Sequence, residues 1–96
     1  MKDVDSIIEY VSSENSDAQM FRDPDFLSAI VGYTFNKLDL PVLVYNYDKM
    51  IESLAAEYVD SDNATMDAIE WIEYNTLRTL PYISSKGRPV IVYSCN

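Results

Sequence analysis

Two short runs rich in β-branched and aromatic residues constrain the fold of this chain more than any other feature. They cover residues 28–35 and 41–47, and the polar sequence Asn-Lys-Leu-Asp at 36–39 separates them. Two such runs joined by a short connection are typical of a β-hairpin. Pro41 cannot donate a hydrogen bond to a neighbouring strand, so it belongs at the start of the second strand. Because side chains alternate along a strand, six odd-numbered residues should share faces. These are Val31, Tyr33, Phe35, Leu43, Tyr45 and Tyr47.

An amphipathic helix is predicted before the hairpin, because four apolar residues recur there at the spacing of one helical face. They are Val4, Ile7, Ile8 and Val11. Asp3 or Asp5 can cap this helix. The stretch 12–25 is polar and acidic and contains Pro24, which predicts a loop or mobile connector. We therefore expect residues 1–25 to form an N-terminal helix and acidic connector, loosely docked on a compact α/β domain of residues 26–96.

Two further helices are predicted after the hairpin. The first should run from about Asp48 to Tyr58, with a buried stripe of Ile51, Leu54, Ala55 and Tyr58. Asn63 is the expected N-cap of the second, which runs to about Thr79 and is stopped by Pro81. The buried stripe of the second helix should contain Met66, Ile69, Ile72, Thr76 and Leu80, widened by Trp71 and Leu77.

A flexible basic loop at 84–89 and a last strand at 90–93 complete the chain. The predicted order is therefore α-β-β-α-α-β in a single small domain of 96 residues, of the α+β class. The simplest packing is a three-stranded, mostly antiparallel sheet with two helices on one face.

The acidic residues are concentrated in one segment. Residues 48–73 contain eight acids and one base, whereas residues 74–96 contain three bases and no acid. The whole chain has a net charge of −9. Direct binding of DNA, RNA or an anionic membrane depends on clustered lysine and arginine, so this distribution argues against all three. It favours a basic protein surface as partner.

Composition excludes several classes of site. The chain has no histidine, one cysteine and two glycines, which removes histidine-dependent nucleophiles, zinc sites within the chain and nucleotide-binding glycine loops. Asp60-Ser61-Asp62 opens like a calcium loop, but Thr65 and Trp71 stand where that loop needs glycine and glutamate. We therefore predict no catalytic residue, no metal and no cofactor. A small enzyme using carboxylates, tyrosine and Arg78 is the least favoured interpretation.

Location is also predicted from composition. No apolar run approaches the roughly 20 residues that span a bilayer, and the N-terminus lacks the basic-then-apolar order of a signal peptide. Cys95 has no partner for an intrachain disulfide, which fits a reducing compartment. These features favour a cytoplasmic protein.

Eight residues are candidates for contact with a partner. The carboxylates would supply charge and the aromatic ring contact area. The candidates are Glu57, Asp60, Asp62, Asp67, Glu70, Glu73, Tyr74 and Arg78. The alternative for the carboxylates is a solvated helix face, with acids near the N-terminus favoured by the helix dipole. The alternative for the polar group Asn75, Thr76 and Arg78 is local bonding to backbone or to a carboxylate.

Residues 44–52 (V-Y-N-Y-D-K-M-I-E) and 67–82 (D-A-I-E-W-I-E-Y-N-T-L-R-T-L-P-Y) resemble a group of short uncharacterised proteins of Gram-positive bacteria, their phages and prophages. That group shows a pattern like Y-D-Y-D-K-M-V-E, then an acidic helix ending E-Y-N-T-(I/L)-R-(A/S/T)-L-P-Y, then a short apolar strand. The resemblance covers about residues 28–93. It implies a compact α/β protein of the bacterial cytosol. The usual glycine-containing turn after Tyr82 is replaced here by residues 83–88.

Two functions follow as hypotheses. A phage-type acidic protein can present carboxylates spaced like phosphates and so occupy the basic nucleic-acid channel of a host defence nuclease, such as a CRISPR effector; this is an anti-CRISPR or similar anti-defence inhibitor. The alternative is a housekeeping or regulatory interaction module whose charge serves solubility, and which self-associates into a homodimer through an open sheet edge.

Overall fold

Helices and strands follow one another in the order α-β-β-α-α-β in the computed structural model, which describes residues 3–22, 24, 26–58 and 60–93. Asp25, at the predicted domain boundary, and Cys95, the single cysteine, lie outside the described residues. The elements are α1 (Val4–Glu14), β1 (Ile30–Phe35), β2 (Pro41–Asn46), α2 (Tyr47–Ala55), α3 (Ala64–Trp71) and β3 (Val90–Val92). The predicted order and the α+β class are confirmed.

The sheet is mixed, which corrects the expectation of a mostly antiparallel one. Its strand order is β1-β2-β3, with β1 antiparallel to β2 and β3 parallel to β2. Parallel neighbours need a crossover of a dozen or more residues, and α2 and α3 supply that crossover between β2 and β3. Three α-helices, rather than the expected two, pack with this sheet.

The hairpin between β1 and β2 forms where the sequence predicts it. The Asn36 side-chain oxygen accepts from the backbone N–H groups of Leu38 and Leu40, and Asp39 takes a left-handed φ of 63° that asparagine and aspartate tolerate. The predicted sharing of a face is confirmed for Tyr33, Phe35 and Leu43, because the rings of Tyr33 and Phe35 lie 5.9 Å apart and Tyr33 is the register partner of Leu43. A bulge between Ile30 and Gly32 shifts the register at Val31. Leu43 and Tyr45 are buried, whereas Val31, Tyr33 and Phe35 are exposed. Tyr47 begins α2 instead of ending a strand.

Helix α1 belongs to the core, so the expectation of a loosely docked appendage is wrong. Asp3 caps the helix, its side chain accepting from the Ser6 N–H at 2.8 Å. Ile7 and Val11 are buried in the same cluster as residues of the sheet. Sequence periodicity finds the buried face of a helix but carries no information on how tightly that face is covered.

The connector after α1 is hydrogen-bonded to the loop before β3 and to β2, which corrects the prediction that it is mobile. The Gln19 N–H donates to the Gly87 carbonyl at 2.9 Å, and the Phe21 N–H donates to the Tyr45 hydroxyl at 3.2 Å. Phe26, which follows, is almost fully buried. Long-range partners of this kind cannot be inferred from local composition.

The core is formed by apolar residues from all three helices and from β1 and β2, closed by Phe26 and Ala29. It consists of Ile7, Val11, Phe26, Ala29, Ile30, Leu43, Tyr45, Met50, Leu54, Ala68 and Ile72. The expected stripe of α2 is confirmed, because Leu54 is buried and the other three residues pack against the core; Met50 is buried there in addition. The expected stripe of the next helix is wrong at Met66, which is 57% exposed. Ile72 and Thr76 are buried as expected, and Ala68, one turn before Ile72, is the buried residue that the stripe did not include.

Helix α3 continues beyond Trp71 as a π-helical segment, Ile72–Leu77. Its wider turns weaken the usual backbone ladder, and polar side chains bond back onto it. The Asn75 amide donates to the Trp71 carbonyl at 3.0 Å, and the Thr79 hydroxyl donates to the carbonyls of Asn75 and Thr76 at 2.9 Å. This explains the asparagine and threonine so late in the helix.

The basic loop at 84–89 is anchored, not flexible as predicted. Gly87 and Pro89 are buried, and the Arg88 guanidinium donates to the carbonyls of Pro81 and Ile83 at 2.9–3.1 Å. The loop therefore places β3 beside β2 in a fixed position. Arg88, one of the three basic residues of 74–96, is therefore engaged in hydrogen bonds within the protein.

Candidate functional site

The acidic segment, residues 48–73, is formed by α2, the α2–α3 loop and α3 with the start of its π-helical extension. Asn46 caps α2, its side chain accepting from the Lys49 N–H at 3.0 Å. Seven of the eight carboxylates in the segment are exposed, and Asp67 is half-buried. The fold therefore keeps this charge in solvent while the apolar sides of the same helices enter the core.

An open hollow of about 370 Å³ lies on this segment. It is lined by Tyr58, Asp67, Glu70, Trp71, Tyr74 and Asn75; we refer to these six residues as the aromatic–acidic hollow. Five of them come from α3 and its π-helical extension, where spacings of three and four residues place side chains on one side of a helix. The hollow thus combines three aromatic rings with two carboxylates.

Local contacts hold the hollow in shape. The Ser61 hydroxyl donates to Asp67 Oδ2 at 2.6 Å, which fixes the α2–α3 loop against the first turn of α3. The bond from Asn75 to the Trp71 carbonyl uses the amide nitrogen of Asn75 and leaves its Oδ1 as an acceptor. Tyr58 and Trp71 are half-buried and pack against the core. Two of the three aromatic rings of the hollow therefore rest on the hydrophobic core.

Tyr74 and Arg78 meet at the edge of the hollow. The Arg78 guanidinium carbon lies 5.9 Å from the centroid of the Tyr74 ring, within the range of a cation–π contact. Tyr74 is 67% exposed, so this pair stands in solvent. Of the eight predicted partner-binding residues, Asp67, Glu70 and Tyr74 line the hollow and Arg78 borders it.

The remaining four candidates lie elsewhere on the acidic segment. Glu57 lines a larger open groove of about 1320 Å³, between α2 and the connector after α1. Asp60 and Asp62 are exposed in the α2–α3 loop. Glu73 is exposed and lies near the Tyr47 phenol. The structure therefore does not gather all eight residues at one place.

Burial raises the pKa of the Tyr47 phenol above its ordinary value. The Glu73 carboxylate and the neighbouring Tyr93 raise it further, since a phenolate beside them would be repelled. The rings of Tyr47 and Tyr93 are 4.8 Å apart. This cluster joins the start of α2 to the π-helical segment and to the end of β3.

Because the pKa of Tyr47 is raised by folding, the unfolded chain loses this proton first as the pH rises. The stability linked to Tyr47 is therefore complete below the ordinary tyrosine pKa of about 10 and is lost as the pH rises through the folded-state pKa. We expect the free energy of unfolding to decrease at alkaline pH, and to decrease less in Tyr47→Phe. Urea unfolding at a series of alkaline pH values measures this free energy for the wild type and for Tyr47→Phe. Tyr82→Phe is the control, because Tyr82 is exposed. Equal alkaline losses in all three proteins would contradict the assignment.

Three residues of the hollow were not among the predicted partner-binding residues: Tyr58, Trp71 and Asn75. The first two were assigned to buried stripes, and Asn75 to local bonding. The pattern that could have found the hollow is present in the sequence, since Asp67, Glu70, Trp71 and Tyr74 stand at i, i+3, i+4 and i+7. Carboxylates and aromatic rings on one helical face indicate a recognition surface as much as a core stripe.

Among the residues that the structure describes, no three or more carboxylate, cysteine or histidine side chains converge where they could hold a metal ion. In the same part of the chain, no helix has both the length and the apolar character needed to cross a membrane.

Comparisons with protein-family models, with curated proteins and with solved structures give no match to this chain.

Proposed function

We propose that this protein is a small acidic binding protein, without enzymatic activity, that occupies a basic surface on another protein. The observation that carries the proposal is the separation of charge: eight acids and one base in residues 48–73 of a chain with net charge −9. Seven of these eight carboxylates are exposed to solvent, as an electrostatic surface requires.

The sharpest form of the proposal names a partner that handles nucleic acid. Exposed carboxylates on α2, its following loop and α3 can substitute for phosphates in a channel lined with lysine and arginine. A host defence nuclease, a CRISPR effector among them, has such a channel, and the resemblance of residues 44–52 and 67–82 to phage and prophage proteins favours this class. The protein would act in the bacterial cytoplasm by excluding nucleic acid from that channel, without catalysing a reaction.

A charge-reversal experiment tests the acidic surface. We expect the variant Asp67→Lys, Glu70→Lys, Glu73→Lys to lose roughly tenfold or more of its affinity for a partner captured by the wild type. Capture would be made from nuclease-treated bacterial lysate, at low and at high salt, followed by competition with DNA. Captured protein should be released at high salt, because screening shortens the range of these charges from about 10 Å at 0.1 M to about 3 Å at 1 M.

The matched control places the same charge change on another element. Asp5→Lys, Glu9→Lys, Glu14→Lys alters three exposed acids of α1 and also changes the net charge from −9 to −3, since each reversal adds two charges. The proposal requires the control to bind as the wild type does. Equal losses in both triple variants would mean that net charge alone matters, and unchanged binding in the first variant would refute the acidic surface.

A self-associating module is the second candidate, because one edge of the sheet is open and apolar. β1 is an outer strand, and its side chains Val31 and Phe35 are about half exposed, as is Leu38 in the hairpin turn. Residues 26–47 carry one acid and one base, so two copies could approach there without strong repulsion. A dimer by light scattering, with no partner captured and no effect of the first triple reversal on dimerisation, would favour this candidate.

A further inference from the structure

The aromatic–acidic hollow offers a specific set of chemical groups. Its charged and amide groups, Asp67, Glu70 and the Asn75 Oδ1, are all hydrogen-bond acceptors. Beside them lie the rings of Trp71, Tyr74 and Tyr58. Such a site is complementary to a cation that is flat and carries several donors.

Arginine meets that description better than lysine does. Its guanidinium is planar, carries five N–H donors, stacks on aromatic rings and is weakly hydrated, whereas the lysine ammonium is compact and strongly hydrated. A carboxylate can accept two of the guanidinium N–H groups side by side. We propose that the aromatic–acidic hollow binds an arginine side chain of the basic partner, an inference that rests on the acidic-surface function proposed above.

The chain itself contains a contact of the same chemistry. Arg78 stands over the Tyr74 ring at 5.9 Å, so that ring already takes a guanidinium at its edge of the hollow. Glu70 is exposed, and its carboxylate takes no hydrogen bond from any described residue. Asp67 is partly committed to Ser61. Glu70 is therefore the main charged acceptor for an incoming arginine, and Tyr74 and Trp71 supply the stacking surface.

The test compares two peptides of equal length and charge, hexa-arginine and hexa-lysine. Trp71 is the one tryptophan of the chain and lines both the hollow and the larger groove, so its fluorescence reports binding at this face and the variants below assign it to the hollow. We expect hexa-arginine to change the emission and to bind about fivefold more tightly than hexa-lysine at low salt.

Variants then locate the preference. Tyr74→Ala and Glu70→Gln should each weaken hexa-arginine binding about fivefold and reduce the arginine preference, while Tyr74→Phe should keep it because the ring remains. Tyr74 and Glu70 are exposed, so neither change should affect folding. Glu52→Gln is the matched control, since it removes the same charge from an exposed position of α2 outside the hollow.

Each outcome is decisive. Arginine preference that disappears in Tyr74→Ala and Glu70→Gln but survives in Glu52→Gln supports the hollow. Equal binding of both peptides, or a preference that all variants retain, overturns the arginine site and leaves the acidic surface standing. If neither peptide binds at low salt, the acidic-surface proposal fails as well.

Discussion

Replacing Gly87 with alanine should lower the free energy of unfolding by about 3 kcal/mol, the upper end of the cost of overpacking. A Cβ atom at this position would lie 1.7 Å from the Asp17 carbonyl oxygen and 2.5 Å from its carbon, both of them backbone atoms. The connector after α1 would have to move, and the bond from the Gln19 N–H to the Gly87 carbonyl would be lost. A domain of this size is stabilised by only about 5–15 kcal/mol, so the effect is large.

The second glycine of the chain provides the control. A Cβ atom at Gly32 would meet no heavy atom within 4 Å. Gly32→Ala should therefore be neutral or stabilise the protein by up to about 1 kcal/mol, because alanine restricts the unfolded chain. Urea unfolding of both variants makes the comparison. If Gly87→Ala is as stable as Gly32→Ala, the close approach of the connector to this loop is wrong.

Much of the fold follows from sequence patterns that act over a few residues. The period of apolar residues predicts α1 and α2, and the two β-branched runs with Asn36 between them predict the hairpin. Such local patterns do not predict the direction of β3 relative to β2, because that direction depends on where the chain returns to the sheet after two helices. Gly87 illustrates the same limit: a glycine in a polar stretch indicates a loop, but the absence of room for a Cβ atom there comes from Asp17, seventy residues earlier.

The candidate site was predictable in part for a related reason. Charge is a property of composition, so the acidic segment is evident from the sequence alone. The positions of the individual acids are not evident from the sequence: Glu73 lies near Tyr47, whereas Glu70 and Asp67 line the hollow. The π-helical segment from Ile72 to Leu77 changes the number of residues per turn there, so an ideal helical wheel misplaces the side chains that follow it.

Replacing Asn15 with aspartate should also cost about 3 kcal/mol or more at neutral pH. Asn15 is almost fully buried at the end of α1, and its amide donates to the carbonyls of Pro41 at 3.0 Å and Lys86 at 2.8 Å. Aspartate has the same shape but places a charged oxygen against those two carbonyls. The buried carbonyl of Pro41 would lose its donor, at a cost of about 1–3 kcal/mol, and the unpaired buried charge adds to this.

The comparison with other substitutions separates charge from shape. Asn15→Ala removes the donor without adding charge, so we expect a loss of about 2–3 kcal/mol, smaller than that of Asn15→Asp. Asn63→Ala is the control, since Asn63 is exposed and its side chain makes no capping bond at α3; its effect should stay within about 0.5 kcal/mol. Urea unfolding measures the free energy of unfolding of the three variants and so ranks their stabilities. Because Asn15 joins α1 to the start of β2 and to the loop before β3, an Asn15→Asp protein as stable as Asn63→Ala would mean that this three-way junction does not stabilise the fold.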